Sequence, residues 1–322
     1  MLAYTLTGIG RGNTSNITNV IVSESTENKA AGLNLLHAVF ALGALFSPFL
    51  LVACTALFSR PPLAAGGIAG WRVTLWILAA CMVADLLLFA TSSLRNSPER
   101  RREEPSAAAG EADAGGLPPF YRSFDWWLNT AILLFYLCGE SGNMGWLVTY
   151  FKDTGLMGQT FAQMTSSIMW IMIMGGRLLS AAISGKVKKS LLILILALLN
   201  TGFFILMIST RSMPLIIIGL LGTGFSMSGI YPTTLSTMKR EYNSSPLSTG
   251  FAIGIALVGG ITMPITVGAI AEKVTSSALA QGLSSAAAEK AGVSSGISAI
   301  TVALSIMLIL TVIKFIRERK SS

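Results

Sequence analysis

Nine runs of about 20 predominantly apolar residues, at roughly 2–22, 32–57, 71–93, 127–151, 161–184, 190–209, 213–238, 247–272 and 292–316, leave this chain few folds to choose from. A bilayer core is spanned by about 20 apolar residues in an α-helix. Only 12% of the residues are charged, against roughly 25% in a soluble domain. The sequence therefore predicts an all-α polytopic membrane protein. Thirty-two glycines against 11 prolines suit helices that approach closely in lipid, where small residues make the contacts. The first run is the most polar, because it contains "GRGNTSNITN". It is read as a helix lining a wet cavity, where polar side chains are tolerated at membrane depth.

The net charge of +8 comes from residues that fall mostly between the spans. It is therefore read as topology and not as a nucleic-acid surface. Placing the tail "KFIRERKSS" in the cytoplasm puts 16 of the 23 Lys and Arg residues inside, as the positive-inside rule requires. The longest polar stretch, residues 94–125, is rich in Pro, Gly, Ala and charge and lacks apolar periodicity, which predicts a cytoplasmic linker. Three spans precede it (residues 1–93) and six follow (126–322). Two six-helix bundles joined by a long linker, with solute bound between them near the midplane, is a known transporter plan. The six later spans read as one complete bundle and the first three as the remnant of another. Residues 273–291 read as an outside loop with a helical turn.

Six segments carry a resemblance. "GIGRGNTSNITN" looks like the Gly-rich fourth helix of the major facilitator superfamily, and within it of the fucose permease-like sugar:proton symporters. "LNLLHAVFALGALFSPFL" is similar to the fifth helix, "FYLCGESGNMGWLVTYF" to the seventh, and "MWIMIMGGRLLSAAISGKVKK" to the eighth with its basic turn. "GTGFSMSGIYPTTLS" and "STGFAIGIALVGGITMPITVG" resemble the tenth and eleventh. The resemblance implies a major facilitator-like fold lacking its first three helices, which would return a cytoplasmic N-terminus. It implies a multi-pass protein of the cell membrane (an inner membrane in a bacterium) that carries a sugar in symport with a proton. Two positions depart from the pattern. Ser15 stands where the fourth helix carries an acid, and Ser47 stands before Pro48 where the fifth carries glycine.

The costliest residue is Glu140, near the middle of the span 127–151. An ionised carboxylate there costs at least about 2.5–3.5 kcal/mol, so it faces a cavity or a partner. It is a candidate to accept hydrogen bonds from sugar hydroxyls or to take up a proton; the structural alternative is a helix-to-helix contact. Asn143, one turn on, and Trp146 are expected beside it, the indole against the apolar face of a sugar. Trp146 equally suits an interfacial belt. Asn16 and Asn19, three apart, share a helical face and can donate and accept at once. His37 is a candidate proton relay, with a backbone-bonded structural histidine as the alternative. Arg177 is expected as a gating or cytoplasmic anchor at a helix end.

Other chemistry finds little support. One histidine, and Cys54, Cys81 and Cys138 at spacings that fit neither a metal site nor a disulfide framework, predict no metal and no catalytic centre. "GIGRGN" follows no strand, so a dinucleotide loop is discarded. The expectation is a monomeric transporter, not an enzyme, without cofactor or nucleic-acid partner, its partners being lipid, a small solute and a proton. A non-functional truncated fragment and a transporter-like sensor remain as alternatives.

Overall fold

A computed structural model of the chain describes residues 2–60, 66–91, 119–238, 242 and 246–321. Among these the chain is helical, with no strand. The helices are α1 (Leu2–Ser25), α2 (Lys29–Phe58), α3 (Gly70–Thr91), α4 (Phe124–Asp153), α5 (Gln159–Ile183), α6 (Lys189–Ser209), α7 (Met213–Met227), α8 (Ile230–Ser236), α9 (Pro246–Ala280) and α10 (Ser285–Ser321). Eight stretches are long and apolar enough to cross a membrane, α7 and α8 counting together. The polar α1 is not one of them. The linker expected over 94–125 lies outside the described residues as far as 118, as do Lys239 and Arg240.

Two expectations change. The span 213–238 is two helices, interrupted at Ser228–Gly229. Pro232 explains the break: it has no N–H to give the carbonyl four residues back, at Ser228. Residues 273–291 are mostly helix, because α9 runs on to Ala280 and α10 begins at Ser285. A tight turn joins them, with Gly282 at φ +84, a conformation glycine adopts without steric cost. At 37 residues, α10 is about 55 Å long, well beyond the roughly 30 Å hydrocarbon core.

The chain forms two compact units, Met1–Gly43 with Pro119–Ser322, and Ala44–Pro118. In the second, Gly70 lies against the backbone of Cys54 and Thr55, while Leu75, Trp76, Leu86 and Leu88 are exposed, a surface suited to hydrocarbon. In the first, α4, α9 and α10 meet through glycines. A Cβ on Gly259 would run into the Leu134 carbonyl, and one on Gly296 into the Val267 carbonyl. The buried Trp126 donates its indole N–H to Ser248 Oγ at 2.9 Å, tying α4 to α9. The first half of α2 joins this unit through Ala30, Leu33, Asn34, Ala38 and Ala41, all buried at the three- and four-residue spacing of one helix face.

These contacts give a paired test of the packing. Gly259→Val should cost about 1–3 kcal/mol by overpacking and lower the thermal midpoint of the purified protein in detergent by roughly 5 °C. Gly254→Val, where a Cβ meets open space, should leave it unchanged. Equal midpoints for the two variants would disprove the close α4–α9 contact.

Candidate functional site

Glu140 lies on α4, and its side chain is 18% exposed. One turn earlier on the same face, Tyr136 donates its hydroxyl to Glu140 Oε1 at 3.0 Å. Arg177 of α5 brings Nη2 to 3.7 Å from that same oxygen. Arg177 is buried, at 3% exposure, and its other two nitrogens also donate. Nη1 donates to the His37 carbonyl of α2 at 2.7 Å, and Nε to the Ser228 carbonyl at 3.3 Å. That second acceptor is the carbonyl the Pro232 break leaves without a helical donor. Gly176 makes the approach possible, since a Cβ there would strike the Phe225 carbonyl and Ser228.

The network continues into α1. Asn19 Nδ2 donates to the Ser15 carbonyl at 2.7 Å, which turns Oδ1 toward His37. His37 Nε2 lies 3.2 Å from that oxygen, so the imidazole donates from Nε2 in this arrangement. Tyr231 of α8 packs edge-on against His37, with centroids 5.2 Å apart, and lies 5.8 Å from the Tyr136 ring. Next on α2, the fully buried Asn34 donates to the Ala30 carbonyl at 2.8 Å and to Thr233 Oγ1 at 3.2 Å. At the near end, Asn28 donates to Ser184 Oγ at 3.1 Å, joining the α1–α2 turn to the α5–α6 turn. An acid, a guanidinium, an imidazole and two phenols thus share one site drawn from α1, α2, α4, α5 and α8. No group of three or more metal-ligating side chains occurs among the described residues.

The sequence matches the Major Facilitator Superfamily over residues 1–264. The chain belongs to that superfamily. Its fold is similar to that of FucP, a Major Facilitator Superfamily transporter crystallised in the outward conformation, with a TM-score of 0.64. The two are 16% identical, and the match covers 92% of this chain and 71% of that one. No curated protein matches the sequence. This Major Facilitator Superfamily member is accordingly a multi-pass membrane protein of a family that moves small solutes.

Of the residues singled out from sequence, Glu140, His37, Asn19 and Arg177 come together. Arg177, six residues before the end of α5, sits beside Glu140 because its partners lie on other elements. Trp146 is turned away from Glu140. It donates its indole N–H to the Pro264 carbonyl at 2.9 Å and packs against Gly268 of α9. Six residues along a helix is about 120° from the starting direction, so the two cannot share a face. Asn16 meets Gly250 of α9 and not Asn19's partner His37. Asn143 stays on the face of Tyr136 and Glu140; it is fully buried, and neither its amide nitrogen nor its oxygen has a hydrogen-bond partner among the described residues. Tyr136, Tyr231 and Ser228 were not anticipated. Only Tyr136, four residues before Glu140, had a readable signal, the i, i+4 pairing of helix neighbours.

Removing one member of a buried pair strands the other, at roughly 3–5 kcal/mol. Arg177→Met should therefore destabilise the detergent-purified protein strongly. Arg177→Met combined with Glu140→Gln should recover a measurable part of the loss in thermal unfolding. Additive losses would mean that the two side chains are not coupled.

Proposed function

We propose that the protein is a secondary active transporter that carries a monosaccharide or a similar small polar solute by alternating access, with a proton as coupling ion. One observation carries the reading. The Glu140 carboxylate is held by Arg177, and the same guanidinium grips the His37 carbonyl of α2. In this reading residues 1–93 form three spans of one bundle, 94–125 a cytoplasmic linker, and 126–322 a six-helix bundle, with the C-terminus in the cytoplasm. The ion pair then lies on the seam between bundles, where alternating access needs a contact that solute and ion can bias.

Glu140 is the principal contact for solute hydroxyls in this proposal. Asn143, whose amide is uncommitted, supplies a donor and an acceptor one turn away. Asn19 supports the site through His37. Trp146 and Asn16 serve it from the second row, by seating α9. Protonation of Glu140 would remove its Coulomb attraction to Arg177 and loosen the seam, which is how a proton could drive the cycle. His37, bonded to Asn19 and packed on Tyr231, is the neighbouring group through which the proton could pass. The fold shared with FucP supports the transport class.

The test is uptake of labelled monosaccharides into proteoliposomes. A hydrogen bond to a charged group contributes about 1.5–3 kcal/mol, so Glu140→Gln should cut initial uptake by about tenfold or more. Unchanged uptake would remove Glu140 from the site. Wild-type protein should accumulate solute only when a pH gradient is imposed; accumulation indifferent to the gradient would remove the proton. Asn28→Ala, which frees the α1–α2 turn from Ser184, should raise the accessibility to water-soluble thiol reagents of a cysteine placed at the partly buried Val187 of the same α5–α6 turn, in a protein whose own cysteines are replaced. Unaltered labelling would show that this contact does not close that end.

A further inference from the structure

A second polar site lies apart from Glu140, at the end of the unit where α4 begins and α10 ends. A cavity of about 480 Å³ opens there between α4, α10 and the residues that follow α8. Lys314 forms its floor, with a side chain only 6% exposed. Its ammonium donates to Asn129 Oδ1 at 2.9 Å and lies 3.0 Å from Glu318 Oε1. Thr237 Oγ1 donates to the same Asn129 oxygen at 3.0 Å, and Asn129 Nδ2 is fixed on the Asp125 carbonyl at 2.7 Å. A buried ammonium is costly in a structural role alone, since an apolar side chain of similar volume packs as well or better.

The lining favours an anion. Arg317 and Lys320 stand at the rim with Lys314 below, three cations against Asp125 and Glu318. The N-terminus of the 30-residue α4 opens beside them and adds partial positive charge. The Arg317–Asp125 pair is open to solvent, at 51% and 54% exposure and 3.3 Å, and Glu318 is 45% exposed although its partner Lys314 is buried. Exposed pairs of this kind contribute little and exchange readily, so an entering anion can displace the carboxylates. A forked guanidinium beside an ammonium suits the several oxygens of a phosphate group. The volume exceeds that of a bare phosphate ion and falls in the range of small-ligand sites, with Met238 and Tyr242 as apolar wall.

We propose that this cavity binds a phosphate-bearing small molecule, the phosphate seated between Lys314 and Arg317 and the remainder against Asn129, Thr237 and Tyr242. The phosphate belongs either to a soluble metabolite or to a lipid headgroup. The proposal is independent of the transported solute. Two probes separate the sources: glucose 6-phosphate added to the full chain in nanodiscs of neutral lipid, and nanodiscs containing phosphatidic acid. Thermal unfolding and titration calorimetry are read at constant ionic strength, with glucose and sodium chloride as controls. Wild-type protein is expected to show saturable binding in at least one arm. The surface double variant R317Q/K320Q should weaken it about tenfold or more, while Glu140→Gln leaves it unchanged. Lys314→Met should abolish it, and the exposed double variant still tests the site if that protein does not fold. Binding in either arm that falls with the double variant supports the site and names its source. Absence of binding in both arms, or binding the double variant does not alter, overturns it.

Discussion

A guanidinium with nothing to hold would be among the most expensive groups to leave inside a membrane protein, and the placement of Arg177 is constrained accordingly. Its side chain is 4% exposed, and its three guanidinium nitrogens each meet an acceptor on another element. Each contact fixes something else. The bond to the His37 carbonyl positions α2, the bond to the Ser228 carbonyl positions the α7–α8 break, and the approach to Glu140 positions α4. Buried charge is tolerated where geometry satisfies it fully, and here that geometry draws elements far apart in sequence into one site.

The break between α7 and α8 shows how a local rule becomes a tertiary one. Proline cannot donate to the carbonyl four residues earlier, so Pro232 leaves the Ser228 oxygen available. In an isolated helix that oxygen would cost stability or bind water. Here Gly176 lets α5 come close enough for the neighbouring Arg177 to use it. Lost helical hydrogen bonding and close glycine packing are two halves of one arrangement. The chain that carries it belongs to the Major Facilitator Superfamily.

The two polar centres differ in kind. At Glu140 the charges are mostly buried and mutually satisfied, and they join the N-terminal α1 and α2 to α4, α5 and α8. At Lys314 a buried ammonium sits beneath the exposed Arg317–Asp125 pair, between α10 and α4. The first is closed by its own partners; the second is open to solvent as it stands.

Periodicity and charge count made the helical membrane class, the spans and the presence of a costly acid legible, because hydrophobic length and net burial cost are properties of a local segment. The resemblance carried the superfamily. The same local reasoning misplaced Trp146 and did not find the partners of Arg177. Trp146 was grouped with Glu140 by proximity, although about 100° per residue carries it round to α9. The partners of Arg177 lay beyond that reasoning, 37 residues before it on α4 and 140 before it on α2. Tyr231 and the Ser228 carbonyl were invisible for the same reason. A sequence states what each stretch must bury; which distant group satisfies it is decided only when helices pack and every buried donor must find an acceptor.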